Sequence, residues 1–155
     1  MAGSGAAADP VGLWRALRAP DLMRHSFVLR VYYEDTDLAG IVYYANYLKF
    51  IERARTEWVR GLGVDQVALR ADHGLVFAVR RIEADYLKPA HFDEELQVET
   101  SDIAVTGARI TLEQCVSRGA ERLFVAQITL VCLTDAGHPA RIPAALRQKL
   151  SATAH

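Results

Sequence analysis

A single change of period organises this chain. Over residues 45–62 the apolar side chains Tyr47, Phe50, Ile51, Ala54, Trp58 and Leu62 recur every three or four positions, the spacing of one face of a helix. Lys49, Glu52, Arg53, Thr56 and Arg60 fill the other faces, and Gly61 and Gly63 close the run. From Leu75 onward the spacing falls to two, the alternation of strands. A helix with one apolar face has to be covered, and the strands that follow supply the cover.

Four strand segments come after the helix. Residues 75–87 carry Val76, Ala78, Ile82, Ala84 and Tyr86 on one face, and residues 94–105 set Leu96, Val98 and Thr100 against Glu95, Gln97 and Glu99. Residues 108–117 place Ile110, Leu112 and Val116 together, and residues 123–133 do the same for Phe124, Ala126, Ile128, Leu130 and Cys132. A fifth segment, residues 26–34, precedes the long helix and is rich in β-branched and aromatic side chains. Residues 64–73 form a short second helix that stops at Gly74, and residues 143–150 form a basic helix that starts on a proline. One long helix cannot alternate with five strands, so the sheet is mostly antiparallel and the fold is α+β, a five-stranded sheet wrapped around one central helix. The second face of the last strand, with Val125, Val131 and Leu133, is also apolar, which predicts cover on both sides, one of them from another subunit.

At 155 residues there is room for one domain with a true core, assigned to residues 21–155. The Ala/Gly-rich residues 1–10 read as a disordered tail, extended to residue 20 by a weak amphipathic turn carrying Leu13, Trp14 and Leu17. Eighteen Lys and Arg against nineteen Asp and Glu argue against a broad nucleic-acid footprint. No apolar run is long enough to span a bilayer as a helix. Cys115 and Cys132 lack metal-ligand spacing and read as free thiols in a reducing, cytoplasmic setting.

The chemistry concentrates in residues 33–47. Asp35 and Asp37 lie in a glycine-containing turn between the first strand and the long helix, among Tyr32, Tyr33, Tyr43, Tyr44, Ile41 and Val42. A turn has its own use for aspartates, as acceptors of backbone N–H groups. A half-apolar cleft beside a helix N-terminus gives a carboxylate a second use, because desolvation strengthens both the acid and the dipoles facing it. Asp35-Thr36-Asp37 followed by Gly40 matches the opening of a calcium loop, but Ala39 and Asn46 stand where two essential ligands belong. No metal site is expected, and the five histidines show no ligand spacing.

The run from Arg30 through Tyr47, followed by Phe50-Ile51-Glu52-Arg53-Ala54-Arg55-Thr56-Glu57 and later by Tyr86-Leu87-Lys88-Pro89-Ala90, resembles the signature of the hotdog-fold acyl-CoA thioesterases. Within them it is similar to the YbgC-like branch associated with the Tol–Pal envelope system and related to 4-hydroxybenzoyl-CoA thioesterases. The resemblance implies that Asp37 is the catalytic carboxylate, as nucleophile or as general base, and that the backbone N–H of Tyr44 is the oxyanion donor. Many relatives have His where this chain has Tyr44, a change that leaves a main-chain donor in place. Gly40, Ile41, Val42 and Tyr43 become substrate-binding residues, with Gly40 letting the backbone approach the thioester. Arg109, with Arg80, Arg81 and Lys88, is a candidate for the coenzyme A phosphates. The resemblance further implies a homodimer or homotetramer, no cofactor beyond the coenzyme A of the substrate, and acyl carrier protein as a partner. Two rivals are hydration chemistry, which needs a His near Asp37 that is absent, and a non-catalytic scaffold that binds acyl thioesters or acyl carrier protein in envelope lipid metabolism.

Overall fold

The face predicted to be apolar on the long helix is the face that is buried. A computed structural model describes residues 24–151; the tail expected over residues 1–20 lies outside the described residues. Helix α1 spans Asn46–Gly61, and Tyr47, Phe50, Ile51, Ala54 and Trp58 are each no more than 3% exposed. Each large apolar side chain so buried contributes about 1.5–3 kcal/mol before entropy is counted. Strands β1 (His25–Arg30), β2 (Leu75–Tyr86), β3 (Glu95–Thr106), β4 (Arg109–Arg118) and β5 (Glu121–Thr134) form one antiparallel sheet in the order β1-β3-β4-β5-β2. Helix α2 (Gln66–His73) precedes β2, and helix α3 (Ala144–Ser151) follows β5.

One polar residue joins helix to sheet. Gln114 occupies the helix-facing position of β4 between Leu112 and Val116 and is fully buried. Its Nε2 donates to the Ile51 carbonyl of α1 and to Thr100 Oγ1 of β3, both at 2.9 Å. Its Oε1 accepts from Arg55 Nη1 at 2.9 Å. A buried amide is tolerable only when it is satisfied in this way.

Four local expectations are corrected. The first strand ends at Arg30 rather than at residue 34, because the Asp35 carboxylate accepts the Tyr32 N–H at 2.8 Å and folds Tyr33–Asp35 into a 3₁₀ turn. In β2 a bulge lies between Val79 and Arg81, so Val76 and Ala78 do not share a face with Ile82, Ala84 and Tyr86. Leu75 and Phe77 take the core side before the bulge, and Ile82 and Ala84 take it afterwards. In β3 a second irregularity after Ser101, with Asp102 at φ 53°, carries the core side from Thr100 to Ile103. Period-two reading cannot see an inserted residue that reverses the alternation. The short helix starts at Gln66 instead of residue 64, since the Asp65 side chain caps it through Val67 and Ala68.

Replacing Gln114 by Leu keeps the bulk but strands the Arg55 N–H, the Ile51 carbonyl and Thr100. We expect a loss of about 2–4 kcal/mol, read as a lower urea midpoint with an unchanged slope. A variant as stable as the parent would show that this network contributes nothing to holding α1 on the sheet.

Candidate active site

The turn between β1 and α1 is built from its two aspartates. Asp35 ties the ends of the excursion together: its carbonyl accepts the Tyr43 N–H and the Asn46 side-chain amide, each at 2.9 Å. Asp37 closes a smaller loop inside it. Its N–H donates to the Ile41 carbonyl at 2.9 Å, and its carbonyl accepts the Gly40 N–H at 3.0 Å. Gly40 stands at φ +80°, the left-handed region that a side chain resists. Beyond the glycine and its two chain neighbours, no atom of the described residues lies within 4 Å of where its Cβ would be, so the torsion, and not crowding, calls for glycine.

One Asp37 carboxylate oxygen, Oδ1, accepts the Ala39 N–H at 2.9 Å. The other has no hydrogen-bond partner among the described residues, and the side chain is half-buried. At the start of α1, Ala45 occupies the cap position in helical conformation with no side-chain cap. The Tyr44 N–H just before it has no acceptor among the described residues. An unpaired amide at a helix start and a carboxylate with one free oxygen thus lie seven positions apart in one turn.

The connection from β2 to β3 braces this turn. Val42 N–H donates to the Ala90 carbonyl at 2.8 Å, Ile41 bridges His91, and Val31 N–H donates to the Glu94 carbonyl at 2.9 Å. The Tyr47 hydroxyl of α1 accepts the Ala90 N–H at 3.2 Å. Charges fasten the outside of the connection. Arg118 holds Glu94 at 2.7 Å and also Glu121, and Lys88 holds Glu121 at 2.7 Å. The hydrogen bond from Lys88, reinforced by Arg118, lowers the Glu121 carboxyl to about 2.

Tyr44, Tyr47, Tyr86, Ile41, Val42 and Leu87 line a cleft of about 320 Å³ beside the turn. The Tyr86 hydroxyl donates to the Tyr44 carbonyl at 3.0 Å, and its ring packs edge-on against Tyr47 and Phe124. Burial raises both the Tyr47 and Tyr86 phenols, so Tyr86 stays protonated as a donor. Tyr43 leans edge-on against Tyr44 at 5.0 Å without lining the cleft.

Asp37, Gly40, Ile41, Val42, Tyr43 and Tyr44 all belong to the one turn between β1 and α1, but only Ile41, Val42 and Tyr44 of them line the cleft. Arg109 lies elsewhere. Arg109 begins β4 beside Thr106 and Val131, whereas Arg118 ends β4 on the braced side, roughly 30 Å away along the strand. Lys88, a candidate for phosphate, is engaged by Glu121. Sequence reasoning missed Tyr86 as a partner of Tyr44 and Arg118 as the brace. Tyr86 stood in the run that carries the resemblance, but no spacing rule joins it to Tyr44, 42 positions away, or joins Arg118 to Glu94, 24 positions away.

Comparison with known proteins gives the chain's family. A family model described as the thioesterase-like superfamily matches residues 31–150. The chain belongs to that superfamily. It is 44% identical over 108 residues to the acyl-CoA thioesterase YbgC of Haemophilus influenzae, covering 70% of this chain and 79% of that one. It is 38% identical over 106 residues to the acyl-CoA thioester hydrolase YbgC of Escherichia coli O157:H7, covering 68% and 78%. Among solved structures, a probable thioesterase from Bartonella henselae superposes with a TM-score of 0.74 at 36% identity, over 77% of this chain and 99% of that one. A mutant 4-hydroxybenzoyl CoA thioesterase bound to 4-hydroxybenzoyl CoA superposes with a TM-score of 0.78 at 21% identity, over 83% and 99%, which shows the fold alone. The sheet wrapped around α1 is the hotdog fold of this thioesterase-like chain.

Because Glu121 titrates near 2 in the folded chain and near 4.5 unfolded, its ion pairs contribute fully above the ordinary carboxylate range and fade as the pH falls toward 2. The melting-temperature gap between the parent and Glu121→Gln should be constant above about pH 5 and close in acid. A gap that widens in acid would contradict the pairing.

Proposed function

We propose that this chain hydrolyses acyl-CoA to a free carboxylic acid and coenzyme A. The observation that carries the reading is the juxtaposition, in one braced turn, of a carboxylate oxygen without a partner and an unpaired helix-start amide. In the proposed reaction the Tyr44 N–H holds the thioester carbonyl and stabilises the oxyanion as it forms. Asp37 either attacks that carbon, giving a mixed anhydride that water then cleaves, or removes a proton from the attacking water. Both routes use the same carboxylate and expel the coenzyme A thiolate, which takes up a proton. Ile41 and Val42 border the acyl group, Gly40 shapes the turn, and Tyr43 flanks the entrance. The thioesterase names of the relatives that are 38–44% identical support the same reaction. No cofactor enters the proposed chemistry.

The reading extends to assembly and place. We assign a homodimer, or a tetramer of two such dimers. β2 is an outer strand with Val79 45% exposed beside its bulge, and Val125 and Val131 on the far face of β5 are only half-buried. We place the protein in the cytoplasm, where the buried free thiols Cys115 and Cys132 stay reduced. Arg109, remote within its own chain, contacts coenzyme A only where a second subunit presents it. Acyl carrier protein is a partner in this reading as an alternative bearer of the thioester.

Thiol release from a panel of acyl-CoAs tests the chemistry. Asp37→Asn should lower kcat by about 10²–10⁴ with little change in melting temperature. Asp35→Asn should cost less in kcat and more in stability, since the carboxylate that accepts the Tyr32 N–H holds the turn. Full turnover by Asp37→Asn would overturn the assignment, and a parent that binds acyl-CoA without releasing thiol would favour the scaffold. Sedimentation at micromolar concentration should give a dimer or larger species; a stable monomer would refute the assembly.

A further inference from the structure

The two peptides that flank Tyr44 are held by different means. In a trans peptide the N–H and the C=O point in opposite directions, so whatever holds one end aims the other. The peptide that carries the Tyr44 N–H has the Tyr43 carbonyl at its other end, and that carbonyl accepts the Asn46 N–H at 2.8 Å. The next peptide carries the Tyr44 carbonyl, which accepts the Tyr86 hydroxyl at 3.0 Å. No backbone N–H of the described residues reaches this second carbonyl. Helix α1 begins at Asn46, so Tyr44 stands outside the ladder of bonds that fixes a regular helical residue. The phenol takes the place of the missing rung.

That phenol is mounted on a fixed support. Tyr86 ends β2 opposite Phe124 of β5. The next two amides, of Leu87 and Lys88, both donate to the Leu123 carbonyl, at 2.8 and 3.1 Å. The Tyr86 ring packs edge-on against Tyr47 and Phe124, with centroids 5.6 and 5.0 Å away. Among the described residues its hydroxyl bonds Tyr44 alone. Packing belongs to the ring and aim to the hydroxyl, so one atom separates the two.

We propose that Tyr86 is a positioning residue for thioester hydrolysis: its hydroxyl, by holding the Tyr44 carbonyl, sets the direction in which the Tyr44 N–H meets the substrate carbonyl. The inference rests on the acyl-CoA hydrolysis proposed above and adds to it a strand residue 42 positions from Tyr44. Tyr86 touches no reacting atom in this scheme. Without its hydroxyl, Tyr44 turns about its own torsions and the amide meets the oxyanion at a poorer angle. An oxyanion donor acts chiefly in the transition state, so the loss falls on kcat and spares binding.

Tyr86→Phe removes the hydroxyl and keeps the ring. Thiol release by the parent is measured first, with the best substrate of the acyl-CoA panel. The kcat of Tyr86→Phe should then fall about 10–100-fold, with KM and the melting temperature close to those of the parent. A second readout needs no turnover. Asp37→Asn holds a thioester labelled with carbon-13 at its carbonyl, and infrared difference spectra report how strongly that carbonyl is hydrogen-bonded. Adding Tyr86→Phe should move the carbonyl band to higher frequency. A parent that releases no thiol would overturn the hydrolysis and this inference with it. An active parent matched in kcat by Tyr86→Phe, a loss confined to KM, or a band that stays in place in the double variant would overturn the inference alone and leave the hydrolysis standing.

Discussion

The seat of α1 on the sheet is the constraint on which everything else depends. Apolar burial along Tyr47, Phe50, Ile51, Ala54 and Trp58 supplies the attraction, but burial is non-directional. Direction comes from Gln114, which grips the helix at the Ile51 carbonyl and at Arg55 while bonding across the sheet to Thr100. With the helix fixed at its middle, its first turn emerges at a set place over the end of the sheet where β2, β4 and β5 meet their connections. The site is built at that place.

Two layers of bonding then hold the turn. The inner layer is main-chain: Asp35 closes the excursion, Asp37 closes the small loop, and Val42 and Ile41 attach both to the β2–β3 connection. The outer layer is ionic, with Lys88, Glu94, Arg118 and Glu121 fastening that connection to the β4–β5 hairpin. Exposed ion pairs contribute little stability singly. Here they act on one short connection whose Ala90 is bonded to both the turn and α1, so their effect falls on position more than on global stability. Tyr86 adds a third restraint by bonding the residue whose amide is free.

The same helix serves two cavities of different character. Its start opens on an aromatic cleft lined by Tyr44, Tyr47 and Tyr86, beside the turn that carries Asp37. Its middle opens on a largely aliphatic cavity lined by Val59, Phe77, Ile110 and Leu130, with Glu52, Arg55 and Trp58 beside them. The difference follows from what each stretch of α1 faces: the connections at the end of the sheet in one case, the interior of β2, β4 and β5 in the other.

By itself the sequence determined the elements and the turn. Period 3.6 against period 2 set one long helix against five strands, and Asp35, Asp37 and Gly40 with their aromatic company marked the chemical segment, because these are local properties of neighbouring residues. Tertiary structure decided what local pattern cannot carry. The bulges in β2 and β3 reversed which side chains face the core, since a single inserted residue resets a period of two. Glu34 left the strand because Asp35 bonds Tyr32. Arg109 and Arg118, nine residues apart on one strand and alike in chemistry, went to opposite ends of the sheet, and only the one at the connection end reached the site's surroundings. Gln114 read as an ordinary strand residue, and Tyr86 as a strand residue in the run that carries the resemblance, until the helix was laid against them. Their roles exist only across the gap between helix and sheet, and that gap is a product of packing.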